Sequence, residues 1–380
     1  METVLLYILG ILIVLVGLAL SIGLHELGHL WPAKRFGVLV SQYMIGFGPT
    51  IFSRRLGETQ YGIKAIPLGG YISMAGMYPP AKEGAVSRTA TTGIFETLVQ
   101  EGRQASADTL VATDGTRHDE SRAFYKLPVF KRIIIMVGGP AMNLLIGIVL
   151  YAILLCGFGL PMPSTTVGSV SECVIPATSE STTCGASDPQ APGYAAGIQP
   201  GDTIVSIDGT AMQSWDQSTE IIRNSPGQEL TIVVDRAGEK VTLTATPLLT
   251  ERYVVGDDNK IVTDADGNKV TQKVGFLGIG SALENVQQPV TAVLPMVGEN
   301  IARVAQLIVT LPQRLVELVV TLFSPQERDP EGLIGVVGIG RIAGEITSIN
   351  TAPVADRAAA LIQVIASLNI ALFVFNLIPL

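Results

Sequence analysis

Charge, cysteine and histidine are all scarce in this chain of 380 residues: 15% of positions are charged against 48% hydrophobic, with three cysteines and three histidines. So little charge on so apolar a chain excludes an ordinary soluble enzyme of this size, and the apolar content excludes a disordered or collagenous one. Lys and Arg number 25 against 33 Asp and Glu, a net charge of −8. A nucleic-acid partner needs a basic face, so none is expected. Three cysteines cannot build a disulfide framework or a closed four-thiolate zinc site.

What is present is concentrated. Residues 4–24 (VLLYILGILIVLVGLALSIGL) carry no charge over about one bilayer thickness of helix, and residues 133–160 and 358–380 repeat the pattern. Lipid offers no partner to a backbone polar group and a helix satisfies its own, so these read as three membrane spans. A cleaved signal peptide is the alternative for the first, but it lacks a basic n-region and an A-x-A site. Lys34, Arg35, Arg54 and Arg55 follow the first span, and Lys126, Lys131 and Arg132 precede the second. Basic flanks stay inside, so 25–132 is expected to face the cytoplasm and 161–357 the outside.

The divisions expected are 1–36, a first span; 37–78, a β-loop; 79–130, a polar cytoplasmic linker; and 131–160, a second span. They continue as 161–285, an outer domain with its lead-in; 286–357, amphipathic outer helices with a break near Pro312; and 358–380, a third span. A fourth span over 301–323 is the alternative, and it would reverse the direction of the last. Cys173 and Cys184 fall in the outer region, where oxidation is permitted, so a disulfide is expected there, the alternative being two free thiols. Cys156 reads as a packing residue.

Between 193 and 280 the words AAGIQPGDTIVSIDG and NSPGQELTIVVDRAGEKVTL, with a helix through Trp215–Asn224, resemble a PDZ domain of the bacterial, circularly permuted kind. That resemblance implies a peptide docked by strand addition. A β-rich spacer that binds nothing is the other reading.

Chemistry is carried by His25-Glu26-Leu27-Gly28-His29 at the inner end of the first span. On a helix, positions four apart share a face, so both imidazoles reach one metal ion while Glu26 lies beside it. This is the pattern of a zinc hydrolase whose Glu serves as general base and then as general acid. Ionisable groups at the end of an uncharged span are costly, which argues for function over two histidines that merely mark the water interface. The third histidine, His118, sits among Arg117, Asp119 and Glu120 and reads as solvated.

HELGHLWPAKRFGV, then MIGFGPTIFSRRLGETQYGIKAIPLGGYISMAGM, VFKRIIIMVGGPAMNLLIGIVL, SPQERDPEGLIGVVGIGRIAG and LNIALFVFNLIPL together resemble the site-2 protease, or M50, intramembrane metalloproteases, nearest their actinobacterial branch that cleaves anti-sigma factors. The resemblance implies a multi-pass α-helical membrane protein with a membrane re-entrant β-loop and one inserted extracytoplasmic PDZ-like α+β domain, lying in a bacterial plasma membrane with its active site near the cytoplasmic side. It implies Zn2+ on His25 and His29, Glu26 as catalytic acid and base, and a single-pass membrane substrate such as an anti-sigma factor. It gives Gly69, Gly70, Asn143 and Asn376 substrate-binding roles. For either Asn a helix–helix hydrogen bond is the alternative. The family's third ligand is an aspartate in an L-D-G word shortly after N-L-x-P, so the third span reads as C-terminally incomplete. A membrane metalloprotease of the M48 type explains fewer of these words, and a catalytically inactive scaffold that binds peptide through the PDZ-like domain is the non-enzymatic alternative.

Overall fold

A computed structural model describes residues 2–77, 120–179, 183–185, 188–256, 261–264, 267–322 and 335–378. Most of the expected linker, 79–119 with His118, lies outside the described residues. The chain divides into two units, Met1–Phe158 with Gln287–Leu380, and Gly159–Val286.

The first unit contains α1 (Glu2–Arg35), β1 (Val40–Leu56), β2 (Thr59–Met74) and α2 (Val129–Ala152). The second unit contains β3 (Leu160–Val170), β4 (Thr203–Ile207), β5 (Thr210–Ala211), α3 (Trp215–Asn224), β6 (Leu230–Arg236), β7 (Glu239–Ala245), β8 (Leu248–Tyr253), β9 (Thr271–Phe276) and β10 (Ile279–Val286). The first unit then resumes with α4 (Val293–Leu322), α5 (Val336–Ser348) and α6 (Val354–Leu377).

Among the described residues four helices are long and apolar enough to cross a membrane: Glu2–Arg35, Val129–Phe158, Val290–Val316 and Val354–Leu377. Large apolar side chains such as Leu5, Leu12, Val16 and Leu20 stay exposed along α1, as lipid-facing positions do. The chain is a multi-pass membrane protein. Three spans were the expectation, and the broken pair of helices near Pro312 is instead the single helix α4 with Pro312 inside it. Proline removes one N–H from the ladder, a local loss that a long helix absorbs when its other turns remain bonded.

A fourth candidate span does not reverse α6. Val14 sits beside Leu361, Gly17 meets Ile365 and Ser21 is bonded to Asn369, so α6 runs parallel to α1. The return is made by α5, whose Ile339 lies near Val14, Ala343 near Gly10 and Thr347 on the Leu6 carbonyl; it runs antiparallel to α1.

β1 and β2 are both bent, which gives Gln42–Ile45 partners on two sides. Residues Gln60–Ile63 lie along one side, and Gly70–Ser73 run antiparallel along the other. The far part of β1 pairs with the start of β2 from Thr50↔Lys64 to Leu56↔Thr59. Phe47, Ile51, Phe52, Ile63 and Ile66 stay exposed on this sheet.

In the second unit a sheet runs β10-β3-β4-β6-β7, with β5 beside β4, and β8 pairs with β9 separately. Ile204 and Ile207, on either side of a register shift in β4, and Ile232 and Val234, which alternate along β6, turn one face onto Ile198, Ile222, Leu230 and Leu277 as the core. Asp208 and Gly209, both at positive φ, make the tight turn from β4 to β5. The carboxylate of Asp202, 1% exposed, accepts from Gln199 N at 2.8 Å and from Arg236 Nε and Nη2 at 2.7 Å. Cys173 and Cys184 form a disulfide.

Candidate active site

α1 delivers the motif. The helix carries on past its apolar run through His25, Glu26 and His29 to Lys34 and Arg35, cations that suit a helix C-terminus, and Gly37 at φ 83° turns the chain out. His25 and His29, one turn apart, bring their Nε2 atoms to 3.2 Å. His29 Nδ1 lies 2.7 Å from the Ile135 carbonyl, and Gly139 N at 3.3 Å is the weaker neighbour. The shorter contact makes Nδ1 the donor, which leaves Nε2 of His29 with its lone pair free. Two ligand atoms about 2.1 Å from one tetrahedral ion stand roughly 3.4 Å apart. The imidazoles are therefore spaced as zinc ligands.

α2 completes the wall. Gly28 and Gly138 let the two backbones touch: a Cβ on either would overlap the other's carbonyl. One residue on, a Cβ at Gly139 would overlap His29 Nε2 and stand 2.7 Å from His25 Nε2. The absent side chain leaves open the space toward which both nitrogens point. Asn143, one turn further and 1% exposed, lies against His25, and neither atom of its amide has a hydrogen-bond partner among the described residues. A buried amide with nothing to bond is expensive unless something else enters the site. The donor set and the orphaned amide fit a bound metal with its water or substrate.

Glu26 faces β2, where a Cβ on Gly70 would stand 3.0 Å from Glu26 Cγ. Tyr43 donates to the Gly23 carbonyl at 2.7 Å and ties β1 to the same stretch of helix. The bent sheet and the carboxylate thus share one face of α1. Of the residues singled out in the sequence, His25, Glu26, His29, Asn143 and Gly70 come together. Gly69, at φ 117°, turns toward Phe47 instead. Asn376 donates to the Leu372 carbonyl of its own helix at 2.7 Å. Continuing the Ser21–Asn369 register by seven residues sets its turn level with Gly28. Among the described residues no third acidic, His or Cys side chain joins the two imidazoles as a metal cluster.

Sequence reasoning assigned no role to Gly139, to the Ile135 carbonyl or to the Ser21–Asn369 bond. A signal for the first was present: two glycines ahead of a proline inside an apolar helix cost about 1 kcal/mol each against alanine, which marks a place where something must approach.

Two imidazoles and a carboxylate on one helical turn, inside a bundle of apolar helices, define the class of membrane-embedded zinc hydrolases. Comparison with known proteins narrows it. The pattern of Peptidase family M50 matches residues 13–380, and the chain belongs to this family, the site-2 proteases. It is 31% identical to the zinc metalloprotease Rip1 of Mycobacterium tuberculosis over 98% of this chain and 83% of that protein. It is 30% identical to the metalloprotease MmpA of Caulobacter vibrioides, over 98% and 84%, and 28% identical to the zinc metalloprotease RasP of Geobacillus kaustophilus, over 59% of each. The protein is a zinc metalloendopeptidase of the membrane.

Proposed function

We propose that this chain cuts a single-pass membrane protein, such as an anti-sigma factor, within or beside its membrane helix. In this reading His25 and His29 hold the zinc and Glu26 is the catalytic acid and base. The observation that carries it is the convergence of the two Nε2 atoms on the space kept clear by Gly139, with Glu26 next to the bent sheet.

Bound zinc supplies a Lewis acid that makes water nucleophilic at neutral pH and polarises a carbonyl. Glu26 takes the proton from the attacking water and returns it to the departing amide nitrogen. Asn143 and the Asn376 turn hold the substrate's backbone. A helical peptide hides its carbonyls, so the scissile stretch has to be extended. The Gly70–Ser73 segment, close to Glu26, offers a strand along which it is laid out. The β1–β2 sheet acts as a membrane re-entrant element, supported by its exposed Phe47, Ile51, Phe52 and Ile66. The basic flanks Lys34, Arg35, Lys126, Lys131 and Arg132 support a site near the cytoplasmic face of the membrane, which in this reading is a bacterial plasma membrane. The Gly159–Val286 unit serves as an extracytoplasmic PDZ-like domain, with peptide adding along β10, the end strand of its sheet.

The substrate class is tested with the protein in vesicles, given a single-pass reporter with helix-breaking residues in its span and, separately, soluble casein. Cleavage of the reporter alone is expected. Cleavage of casein with the reporter left whole overturns the reading.

A further inference from the structure

Within the Gly159–Val286 unit lies a cavity of about 270 Å3. One wall is the face of α3 formed by Trp215, Thr219, Ile222 and Arg223, and the facing wall includes Phe276 and Arg252. Arg252 lies 3.6 Å over the Phe276 ring centre, and its Nη1 donates to the Ile175 carbonyl at 3.0 Å. Its Nε is buried with no acceptor among the described residues. Neither Arg252 nor Arg223 has an acidic partner among the described residues, although Asp216 and Glu220 stand on the neighbouring flank of α3. Residues 161–357 carry 23 acidic against 12 basic side chains, so two unpaired guanidinium groups in one cavity reverse the sign of their surroundings. A half-buried cation held by an aromatic face and a carbonyl still lacks a counter-charge, and a guanidinium fork matches a carboxylate.

We propose that this cavity takes the acidic side chain of an extended peptide docked along β10, with Arg252 and Arg223 on its carboxylate and Trp215, Ile222 and Phe276 against its apolar neighbour. The inference rests on the peptide-docking reading of this unit. The charge is on the flanks, on α3 and β8, where the side chains of a through-running strand arrive. A chain end would instead be met by backbone N–H groups, for which the segment 276–279 on the same cavity is the candidate, and the free-ended peptide tests that occupant.

The test uses the whole purified protein in detergent and three fluorescein-labelled heptapeptides of alternating Val and Ala. One has a central Glu and an amidated end, one a central Gln and an amidated end, and one a central Gln and a free end. Fluorescence anisotropy is expected to show the Glu peptide binding roughly tenfold more tightly than its amidated Gln counterpart. Arg252→Gln and Arg223→Gln are each expected to erase that difference, and Arg223, which lacks the buried Nε and the carbonyl bond of Arg252, keeps the test open should Arg252→Gln disturb the fold. Equal binding of the two amidated peptides, or a preference that survives both substitutions, overturns the charge inference and leaves peptide docking standing. Binding of the free-ended peptide alone overturns it in favour of chain-end capture. Binding of none overturns the docking reading as well.

Discussion

His25 and His29 differ in how they are held. His29 is fixed through Nδ1 by the Ile135 carbonyl, whereas the buried Nδ1 of His25 meets no partner in hydrogen-bond geometry among the described residues. A ligand pinned by an outer hydrogen bond keeps its orientation before the metal arrives. Gly139 matters to both, because the smallest possible side chain there would fill the space between the two Nε2 atoms. Gly139→Ala is therefore expected to lower zinc affinity by at least tenfold with the helices still inserted, read by metal analysis and protease protection of vesicles. The motif His25–Glu26–His29 was legible because helical spacing alone puts those groups on one face. Gly139 was not, because nothing in a single sequence tells which helix crosses α1 or at which residue.

Gly28 and Gly138 set the depth of the α1–α2 crossing, and every distance at the site depends on it. Gly28→Leu is expected to force the two helices apart and to slow cleavage by about 100-fold, since a misplacement of roughly 1 Å at reacting groups has that effect. Normal kinetics with a normal expression level would show that the crossing is not needed. On the same face of α1 as Gly28, two turns earlier, Asn369 donates to Ser21 Oγ at 2.9 Å one turn ahead of His25, and both side chains are buried. Asn369→Leu is expected to lower cleavage by roughly tenfold while zinc content holds, because it releases the register of α6 without touching the imidazoles. The long apolar helices were readable from hydropathy. Their directions were not: counting spans says nothing of α5, a short return that keeps α6 parallel to α1. Pro312 misled for a related reason, since the rule that proline ends a helix comes from the local ladder and not from the rest of a 30-residue helix.

The molecule as a whole joins a membrane unit to a unit with a separate core, and the two answer to different perturbations. Arg236 holds the buried Asp202 carboxyl below its ordinary value of 3.8. A depressed folded-state value means that this stabilisation is complete above the unfolded value and is lost as pH falls through the folded one. Thermal unfolding followed by Trp215 fluorescence should thus lose stability below about pH 3.8. Asp202→Asn should lower the midpoint at neutral pH by roughly 5–10 °C and flatten the acid dependence. An unchanged midpoint would mean that the Gly197–Asp202 turn holds without the pair. Turns and strands of this unit were legible from Gly, Asp and alternating Ile and Val. The cavity between α3 and β9 was not, because Arg252 and Phe276 are far from Trp215 in sequence and meet only in the fold.

The central claim is that zinc binding and proton transfer reside in one turn of α1. It is tested most directly by measuring zinc content and reporter cleavage together for Glu26→Gln and His29→Ala in vesicles. Glu26→Gln should keep its zinc and lose cleavage by at least about 1000-fold, while His29→Ala should lose both. Cleavage that persists in Glu26→Gln, or zinc and activity that survive in His29→Ala, would contradict the account.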